Sequence, residues 1–368
     1  MKAVVLVGGQ GSRLRPVTYD IPKALVPLRN RPFMGYMLDF LRRGGLSGAV
    51  LSLGYLPDPI QAYLCGRQED LGDFLVDYAV EDHALGTAGG VKNAEQYLDG
   101  DTLVVVNGDV LSGMDLAKAI GVHKASGALA TITLTSVEDP TAYGLVEVDH
   151  EMLVHRFIEK PAADEVTTNL VNAGVYVLEP EVLEMIPAGR EVSIEREIFP
   201  ELQDSGRLRA HISSSYWRDI GTPRSYLAAS HDVLSGAVVP REGFEYLDVH
   251  PSTDCGKNVR LLPPVSIDEG CTISDLATIG GRSSLGKGSV VGDGAVVEGS
   301  ILLEGAEVEA GAVVRGSIVG PRARVGTNAI VRGLSVLGAG CVVGEGNVLD
   351  QGIRVNPGVV VSPRSVSF

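Results

Sequence analysis

Long apolar stretches are missing from this sequence of 368 residues, and aromatic side chains make up only 5% of it. No run reaches the roughly 18 apolar residues that span a bilayer, and the apolar run at residues 3–7 is too short for a signal peptide. Basic residues are outnumbered 31 to 46, which gives a net charge of −15. Because a negative surface repels phosphate backbones and anionic lipids, we expect neither a nucleic-acid partner nor a membrane partner.

Cysteine is also scarce, with four residues in the whole chain. No two of them stand at C-x-x-C spacing, which argues against a disulfide framework or a zinc site. We therefore expect reduced thiols and a cytoplasmic protein. Hydrophobic residues nevertheless make up 45% of the chain, which is enough material for a packed core.

The periodicity of the sequence changes near residue 250. Before that point, short apolar runs alternate with segments of helical spacing, such as a predicted strand at 103–107 and a predicted helix at 223–234. This alternation predicts a Rossmann-like α/β domain with a mostly parallel sheet and helices on both faces.

Beyond residue 250, apolar residues recur every six positions, from Ile267 to Leu303 and again from Val319 to Val361. A helix cannot keep that spacing on one face, but a parallel β-helix with three short strands per turn can. The pattern resembles the left-handed hexapeptide-repeat β-helix and predicts about five turns. None of the seven histidines falls inside the repeats, so we favour an assembly or packing role over a second, acyltransferase activity for this half. A stack of short β-coils leaves apolar faces and an open end that need cover, so we expect a homo-oligomer formed through this half.

The first predicted strand ends in a glycine-rich loop, GGQGSRLRP, at residues 8–16. Glycines let backbone N–H groups approach a phosphate closely, and Arg13, Arg15 and Lys23 add positive charge nearby. The dinucleotide fingerprint fails because Leu14 stands where glycine is needed, and the P-loop lysine motif is absent. An ordinary strand-to-helix turn is the alternative, but the clustered cations favour a phosphate site.

The residues after this loop make the pattern specific. The stretch GGQGSRLRPVTYDIPKALVPL resembles the N-terminal signature of the sugar-nucleotide pyrophosphorylases, which are nucleotidyltransferases. Further motifs of that family follow in order: EDHALGTAG at 81–89, NGD at 107–109, YG at 143–144, FIEKP at 157–161, NAGVY at 172–176 and WRDIGTP at 217–223. The resemblance is strongest to the mannose-1-phosphate guanylyltransferase group. It implies a nucleotidyltransferase catalytic domain at 1–235, a linker at 236–262 and a β-helix domain at 263–368.

The reaction implied by this resemblance joins a nucleoside triphosphate to a sugar 1-phosphate and releases pyrophosphate. GTP and mannose 1-phosphate, giving GDP-mannose, are the favoured substrates. Two alternatives stay open: glucose 1-phosphate with dTTP, UTP, ATP or GTP, and a catalytically silent subunit that binds a nucleotide sugar and regulates a partner. Since two anions must meet, the expected chemistry is charge neutralisation and positioning.

The same resemblance implies roles for individual residues. The catalytic residues would be Arg13, Lys23, Asp109, Lys160 and Asp219. The nucleotide contacts would be Leu6, Gly8, Gly9, Gly11, Arg13, Glu81, Gly86, Thr87 and Asp109. The contacts to the sugar phosphate would be Gly144, Glu159, Lys160 and Asn172. On an extended segment Glu159 and Lys160 would point to opposite faces, and so would do different jobs.

Two of these aspartates, Asp109 and Asp219, would hold Mg²⁺, which accepts one or two carboxylates alongside phosphate and water oxygens. Asp109 follows an apolar strand, at the end where open α/β sheets bind ligands. The alternative for either aspartate is a helix cap or a turn, and it is stronger for Asp219.

Glu81 occupies the position at which thymidylyl-transferring relatives read the base with a glutamine. A carboxylate only accepts hydrogen bonds, which suits the two adjacent donors of guanine and not the single donor of thymine or uracil. We therefore expect Glu81 to favour GTP, and the alternative is a side chain that points into solvent. Thr87 is expected to open a helix as a cap as much as to touch a ligand, and Trp217 is expected to pack.

Overall fold

The computed structural model describes residues 1–238 and 243–367, which fold into two compact units. Unit 1 contains residues 1–10 and 34–218, and unit 2 contains residues 11–33 together with the chain from 219 onward. Residues 239–242, inside the expected linker, lie outside the described residues. Within the described ranges, no helix has both the length and the apolar character needed to cross a membrane.

Unit 1 is built on a sheet of nine strands. They are β1 (Lys2–Leu6), β2 (Gly48–Leu53), β3 (Leu75–Val80), β4 (Leu103–Asn107), β5 (Ala130–Ser136), β6 (Gly144–Val148), β7 (Val154–Glu159), β8 (Leu170–Leu178) and β9 (Leu208–Ile212). The order is β7-β6-β8-β4-β1-β2-β3, with β5 paired to both β8 and β9. Seven of the nine strands run in one direction and β7 and β8 run against them, which confirms the mostly parallel, Rossmann-like sheet.

Helices connect these strands and cover the sheet. They are α1 (Phe33–Arg43), α2 (Pro57–Cys65), α3 (Gln68–Leu71), α4 (Gly86–Asn93), α5 (Leu116–Ser126), α6 (Glu181–Glu184) and α7 (Phe199–Asp204). Val91 of α4 and Phe199 of α7 belong to one buried cluster with Val105 and Tyr176 of the sheet. Burial of these apolar side chains holds α4 against the sheet. The first turn of α4 therefore lies at the carboxyl edge of the sheet, which carries most of the candidate residues of unit 1.

Unit 2 contains α8 (Pro223–Leu234) and three parallel sheets of short strands. The first sheet holds Leu247–Val249, Val265–Ile267, Ser283–Leu285, Ile301–Leu302, Ile318–Val319, Val336–Leu337 and Arg354–Val355. The second holds Asp254–Cys255, Thr272–Ile273, Val290–Val291, Glu307–Val308, Arg324–Val325, Val342–Val343 and Val360–Val361. The third holds Arg260–Leu262, Thr278–Gly280, Val296–Glu298, Val313–Arg315, Ile330–Val331 and Val348–Leu349. The chain visits the three sheets in turn, as a left-handed hexapeptide β-helix does, so the predicted architecture is confirmed.

The break in the six-residue spacing after Val297 has a structural cause. Ile267 pairs with Leu285, 18 residues later, but Leu285 pairs with Leu302 and Leu302 with Val319, each only 17 residues later. Two coils are therefore one residue shorter than the others at one corner. Leu302, and not Leu303, continues the inward-facing row.

The stack of coils is also longer than the about five turns predicted from the spacing, because its three sheets contain seven, seven and six strands. Its first strand begins at Leu247, inside the segment expected as a linker. This first coil lacks the six-residue apolar pattern because it lies at the open end of the stack, where Leu247 is 43% exposed and Leu262 is 45% exposed. Terminal repeats of a solenoid are commonly atypical in this way.

We predict that the buried row carries the stability of the β-helix. Leu337→Ala should lower the free energy of unfolding of this domain by about 2 to 5 kcal/mol, because Leu337 is fully buried and its loss leaves a cavity. Leu276→Ala is the matched control, since Leu276 is 63% exposed, and it should change stability little. Urea unfolding followed by circular dichroism measures both, and equal losses would contradict the inward register.

Candidate active site

The carboxyl ends of β1, β2 and β3 form a compact cluster around Glu81. The half-buried carboxylate accepts a hydrogen bond from Ser52 Oγ at 2.7 Å through Oε1 and one from Leu85 N at 3.2 Å through Oε2. A Cβ atom placed on Gly8 or on Gly90 would lie 3.1 Å from Oε1, so glycine at both positions makes room for the carboxylate. The Glu81 side chain therefore packs against the carboxyl ends of the strands, and the alternative of a side chain that points into solvent is wrong.

The backbone at the ends of β1 and β4 is packed too closely for side chains. Gly108 N donates to Leu6 O at 2.9 Å, and a Cβ atom on Gly108 would lie only 2.4 Å from that oxygen. The next residue, Asp109, is half-buried just beyond β4. Gly9 is exposed, and among the described residues nothing lies within 4 Å of where its Cβ would be, so a ligand could approach its backbone.

The helix α4 begins beside this cluster, at Gly86. Gly86 has a φ of +71°, and its Cβ would lie 2.6 Å from Val192 O, so the visible role of this glycine is close backbone packing. Thr87 lies in the first turn of the helix, while Leu85 takes the cap position. The Thr87 hydroxyl accepts from Ile194 N at 2.8 Å and donates to Glu195.

Glu195, which the sequence analysis missed, joins the nucleotide candidates to the sugar candidates. Its Oε2 accepts from Thr87 Oγ1 at 2.7 Å and from Ser193 Oγ at 2.9 Å. Its Oε1 accepts from the Tyr176 hydroxyl at 3.2 Å, and that hydroxyl accepts from Asn172 Nδ2 at 2.8 Å. Burial, together with the charge of Glu195, holds the pKa of Tyr176 well above its ordinary value, so the phenol stays protonated and donates.

The signal for Glu195 is conformational. It lies in a π-helical turn, Ile194–Ile198, a rare geometry that is frequent at functional sites. Asn172 also shapes the backbone, because its Oδ1 accepts from Gly174 N at 2.8 Å where the pairing of β8 with β5 shifts register. The Asn172 amide thus holds the bulge in β8 between Asn172 and Tyr176.

Glu159 ends β7 and faces the same network. A Cβ atom on Gly144 would lie 3.1 Å from Glu159 Oε2, so the glycine leaves space for this half-buried carboxylate. Burial, and then the negative charge of Glu195, raise the pKa of Glu159, while Lys160 and Arg196 oppose the rise. A carboxyl group whose pKa is raised by burial and by a second carboxylate is a candidate functional residue.

Lys160 leaves the strand with a φ of +53° and is exposed. The extended backbone assumed for the Glu159–Lys160 pair is therefore wrong at Lys160, because the strand ends at Glu159. The turn, rather than strand alternation, gives the two side chains different surroundings. Trp217 packs as expected, with its ring 5.3 Å from that of Tyr143 and its Nε1 donating to Ala173 O at 2.9 Å.

Unit 2 contains the other candidates, Gly11, Arg13, Lys23 and Asp219. Gly11 has a φ of +60°, and its Cβ would lie 3.3 Å from Lys23 Cβ. A Cβ atom on Gly221 would lie 2.8 Å from Arg13 Nη2 and 2.7 Å from Asp219 Oδ2, so the guanidinium and the carboxylate adjoin the same glycine.

The turn geometry expected as the alternative for Asp219 is present, because its Oδ2 accepts from Gly221 N at 3.0 Å. Part of the WRDIGTP motif is likewise structural. Thr222 caps α8, since its Oγ1 accepts from Ser225 N at 3.2 Å, and Pro223 takes the first helical position.

The donor chemistry of Asp109 and Asp219 suits Mg²⁺. Both are half-buried carboxylates, and carboxylate oxygens are the hard ligands that this ion prefers. The described part of the chain holds no cluster of three or more histidine, cysteine, aspartate or glutamate residues able to bind a metal. Mg²⁺ needs only one or two carboxylates when phosphates and waters complete its octahedron, so the donor chemistry of either aspartate fits it.

Comparison with known proteins places the chain among nucleotide-handling enzymes. The model of the Nucleotidyl transferase family matches residues 2–236, and that of the GMPPB C-terminal domain matches residues 261–366. A mannose-1-phosphate guanylyltransferase of Mycobacterium tuberculosis is 42% identical over 236 residues, which cover 64% of this chain and 65% of the relative, just under two thirds of its length. A UTP–glucose-1-phosphate uridylyltransferase of Synechocystis is 35% identical over 273 residues, covering 70% of each chain.

One similar solved structure is that of HddC from Yersinia pseudotuberculosis complexed with GMP-PN. It is 30% identical to this chain, with a TM-score of 0.55. The similarity covers 63% of this chain and 98% of that chain.

The raised pKa of Glu159 predicts a pH-dependent gain in stability for Glu159→Gln. The folded protein binds this proton more tightly than the unfolded chain does, so stability is lost as the pH rises through the raised pKa. The variant should therefore unfold at a higher temperature than the wild type at neutral pH, and the difference should shrink below the ordinary pKa of glutamate. Calorimetric scans at both pH values, with the exposed Glu151→Gln as control, measure this. A gain that is equal at the two pH values would contradict the burial of charge.

Proposed function

We propose, from the premise that this chain belongs to the Nucleotidyl transferase family, that it transfers the guanylyl group of GTP to mannose 1-phosphate. The products are GDP-mannose and pyrophosphate. The observation that carries this choice is the Glu81 carboxylate fixed within the carboxyl edge of the sheet, where guanine can donate two hydrogen bonds to it. The guanylyltransferase relative and the GMPPB C-terminal match support it. The proposal assigns catalysis to residues 1–235, followed by the β-helix, whose first strand begins at Leu247 within the segment 236–262.

The reaction is a displacement at phosphorus between two anions. An oxygen of the sugar phosphate attacks the α-phosphorus in line, forming one P–O bond as the bond to pyrophosphate breaks. Arg13 and Lys23 neutralise the triphosphate and the leaving group, and Lys160 holds the attacking phosphate. Asp109 and Asp219 would hold Mg²⁺, which adds divalent positive charge at the phosphates.

The other candidates bind and orient the substrates. Leu6, Gly8, Gly9, Gly11, Gly86 and Thr87 line the nucleotide side, where the open backbone of Gly9 can approach a phosphate. Glu159 accepts hydrogen bonds from the sugar hydroxyls, and Gly144 leaves room for it. Glu195 is a positioning residue, because it holds Thr87 and the Tyr176–Asn172 pair in fixed relation.

A glucose-1-phosphate nucleotidyltransferase is the second candidate, favoured by the similarity to the Synechocystis uridylyltransferase. A silent regulatory subunit fits less well, because the chain has all the cations and carboxylates that the chemistry needs, residues that a silent relative could lose. We also propose self-association through the β-helix, supported by exposed apolar side chains such as Val360, which is 68% exposed. Free thiols at all four cysteines fit a reducing cytoplasm.

A matrix of nucleoside triphosphates against sugar 1-phosphates tests the function. We expect pyrophosphate release with Mg²⁺ to be fastest for GTP with mannose 1-phosphate. Faster turnover of UTP or dTTP with glucose 1-phosphate would favour the second candidate. If the folded protein turned over no pair at all, the regulatory alternative would replace the proposal.

The base-reading role of Glu81 predicts a nucleotide-selective defect for Glu81→Gln. The kcat/KM for GTP should fall by about tenfold or more, because the amide NH2 of glutamine then meets a donor on the hydrogen-bonding edge of guanine. The kcat/KM for dTTP should change far less. Ser52→Ala, which removes a hydrogen bond to the same carboxylate, is the control for mere loosening of the side chain. Steady-state kinetics with both nucleotides decides, and an equal loss for the two would refute the role.

A further inference from the structure

The last coils of the β-helix contact the phosphate-loop segment of unit 2, residues 11–33, through one arginine. Arg354 lies in the seventh strand of the first sheet. Its Nη1 donates to the carbonyl oxygen of Arg13 at 3.2 Å and to that of Arg15 at 3.1 Å. These carbonyls belong to the short 3₁₀ turn Ser12–Leu14 and the residue after it, which present the Arg13 side chain.

Contacts within its own segment also hold the turn. Thr18 Oγ1 donates to Gly11 O at 2.8 Å, the guanidinium of Arg15 lies 4.8 Å from the centre of the Tyr19 ring, and Leu14 is fully buried. Arg354 adds a cation that bridges two carbonyl oxygens on either side of Leu14. Hydrogen bonds from a charged donor are stronger than neutral ones, and although both of these are exposed to solvent, together they restrain the turn on either side of Leu14.

The far end of the same segment is fastened to the first coils. Arg29 forms an ion pair with Asp248 at 3.2 Å, and Asn30 Nδ2 donates to Ser266 Oγ at 3.2 Å. Segment 11–33 is thus bound at one end to the beginning of the first sheet and at the other end to its seventh strand.

Other arginines of the β-helix use their guanidinium groups differently. Arg332 pairs with Asp350 at 2.7 Å and Arg364 with Glu345 at 2.6 Å, and each of these pairs joins one coil to the next. Arg354 instead reaches the backbone of a segment more than 300 residues earlier in the chain.

We propose that Arg354 is a positioning residue for nucleotide binding, which it serves by fixing the backbone that carries Arg13. This inference rests on the proposed role of Arg13 at the triphosphate. It gives the β-helix a part in catalysis within its own chain, separate from any part in assembly.

The test compares Arg354→Ala and Arg354→Lys with Arg364→Ala, a control that removes an exposed ion pair of neighbouring coils. Arg354→Ala should raise the KM for GTP about tenfold, the effect of losing two hydrogen bonds, and leave the KM for mannose 1-phosphate unchanged. Arg354→Lys keeps the positive charge but not the planar, multi-donor guanidinium group, so its KM for GTP should lie between those of the wild type and Arg354→Ala. The control should match the wild type.

A purely structural role would lower the melting temperature and affect both substrates alike. A folded Arg354→Ala protein with the wild-type KM for GTP would overturn the inference. Combining it with Arg13→Ala should give less than the sum of the two single effects, because both changes act on one contact to the triphosphate.

Failure of the proposed function is a distinct outcome, recognised by a wild-type protein that turns over no substrate pair. Hydrogen exchange then still tests the inference, since amides of residues 12–19 should exchange faster in Arg354→Ala than in the wild type and the control. Unchanged exchange in this segment would overturn it without any measurement of activity.

Discussion

Close backbone approach at the carboxyl edge of the sheet is the constraint on which the site in unit 1 depends. A Cβ atom on Gly54 would lie 2.8 Å from Gly8 O, and one on Gly108 would lie 2.4 Å from Leu6 O. Because there is no room for side chains at these positions, the backbones at the ends of β1, β2 and β4 pack closely. Glu81 and Asp109 lie beside this closely packed backbone. The glycines at this edge therefore decide where the carboxylates can lie.

Electrostatics add a second layer to this edge. Burial of Glu159, and then the negative charge of Glu195, raise the pKa of Glu159. Lys160 and Arg196 offset part of the rise, and the Tyr176 hydroxyl donates to Glu195. Such an arrangement stabilises the fold poorly by itself, as expected of a candidate functional site.

Much of this architecture could be predicted from the sequence, because local patterns determine it. The helix at 223–234 and the strand at 103–107 have the predicted bounds, and the six-residue spacing identified the β-helix. The five-residue corner before Leu302 broke that spacing and hid the true register. Glu195 was out of reach because its partner Thr87 lies 108 residues away, and no local pattern reports that contact.

Among the candidate residues, motif spacing found the positions but not their immediate partners. It could not show that Ser52 holds Glu81 or that Asn172 holds a bulge, because both contacts follow from sheet pairing rather than from neighbouring letters. Lys160 was misjudged for a related reason, since its positive φ depends on where β7 stops.

The double attachment of segment 11–33 requires a fixed length of the β-helix between the two points of attachment. Solenoids ordinarily tolerate the gain or loss of a repeat, since each coil touches only its neighbours. Here Arg29 meets the beginning of the first sheet and Arg354 its seventh strand, about 29 Å away for strands spaced at about 4.8 Å. An inserted or deleted coil would move Arg354 by one strand spacing from the carbonyls it serves, so the number of coils between these two arginines is fixed by the loop that lies against them.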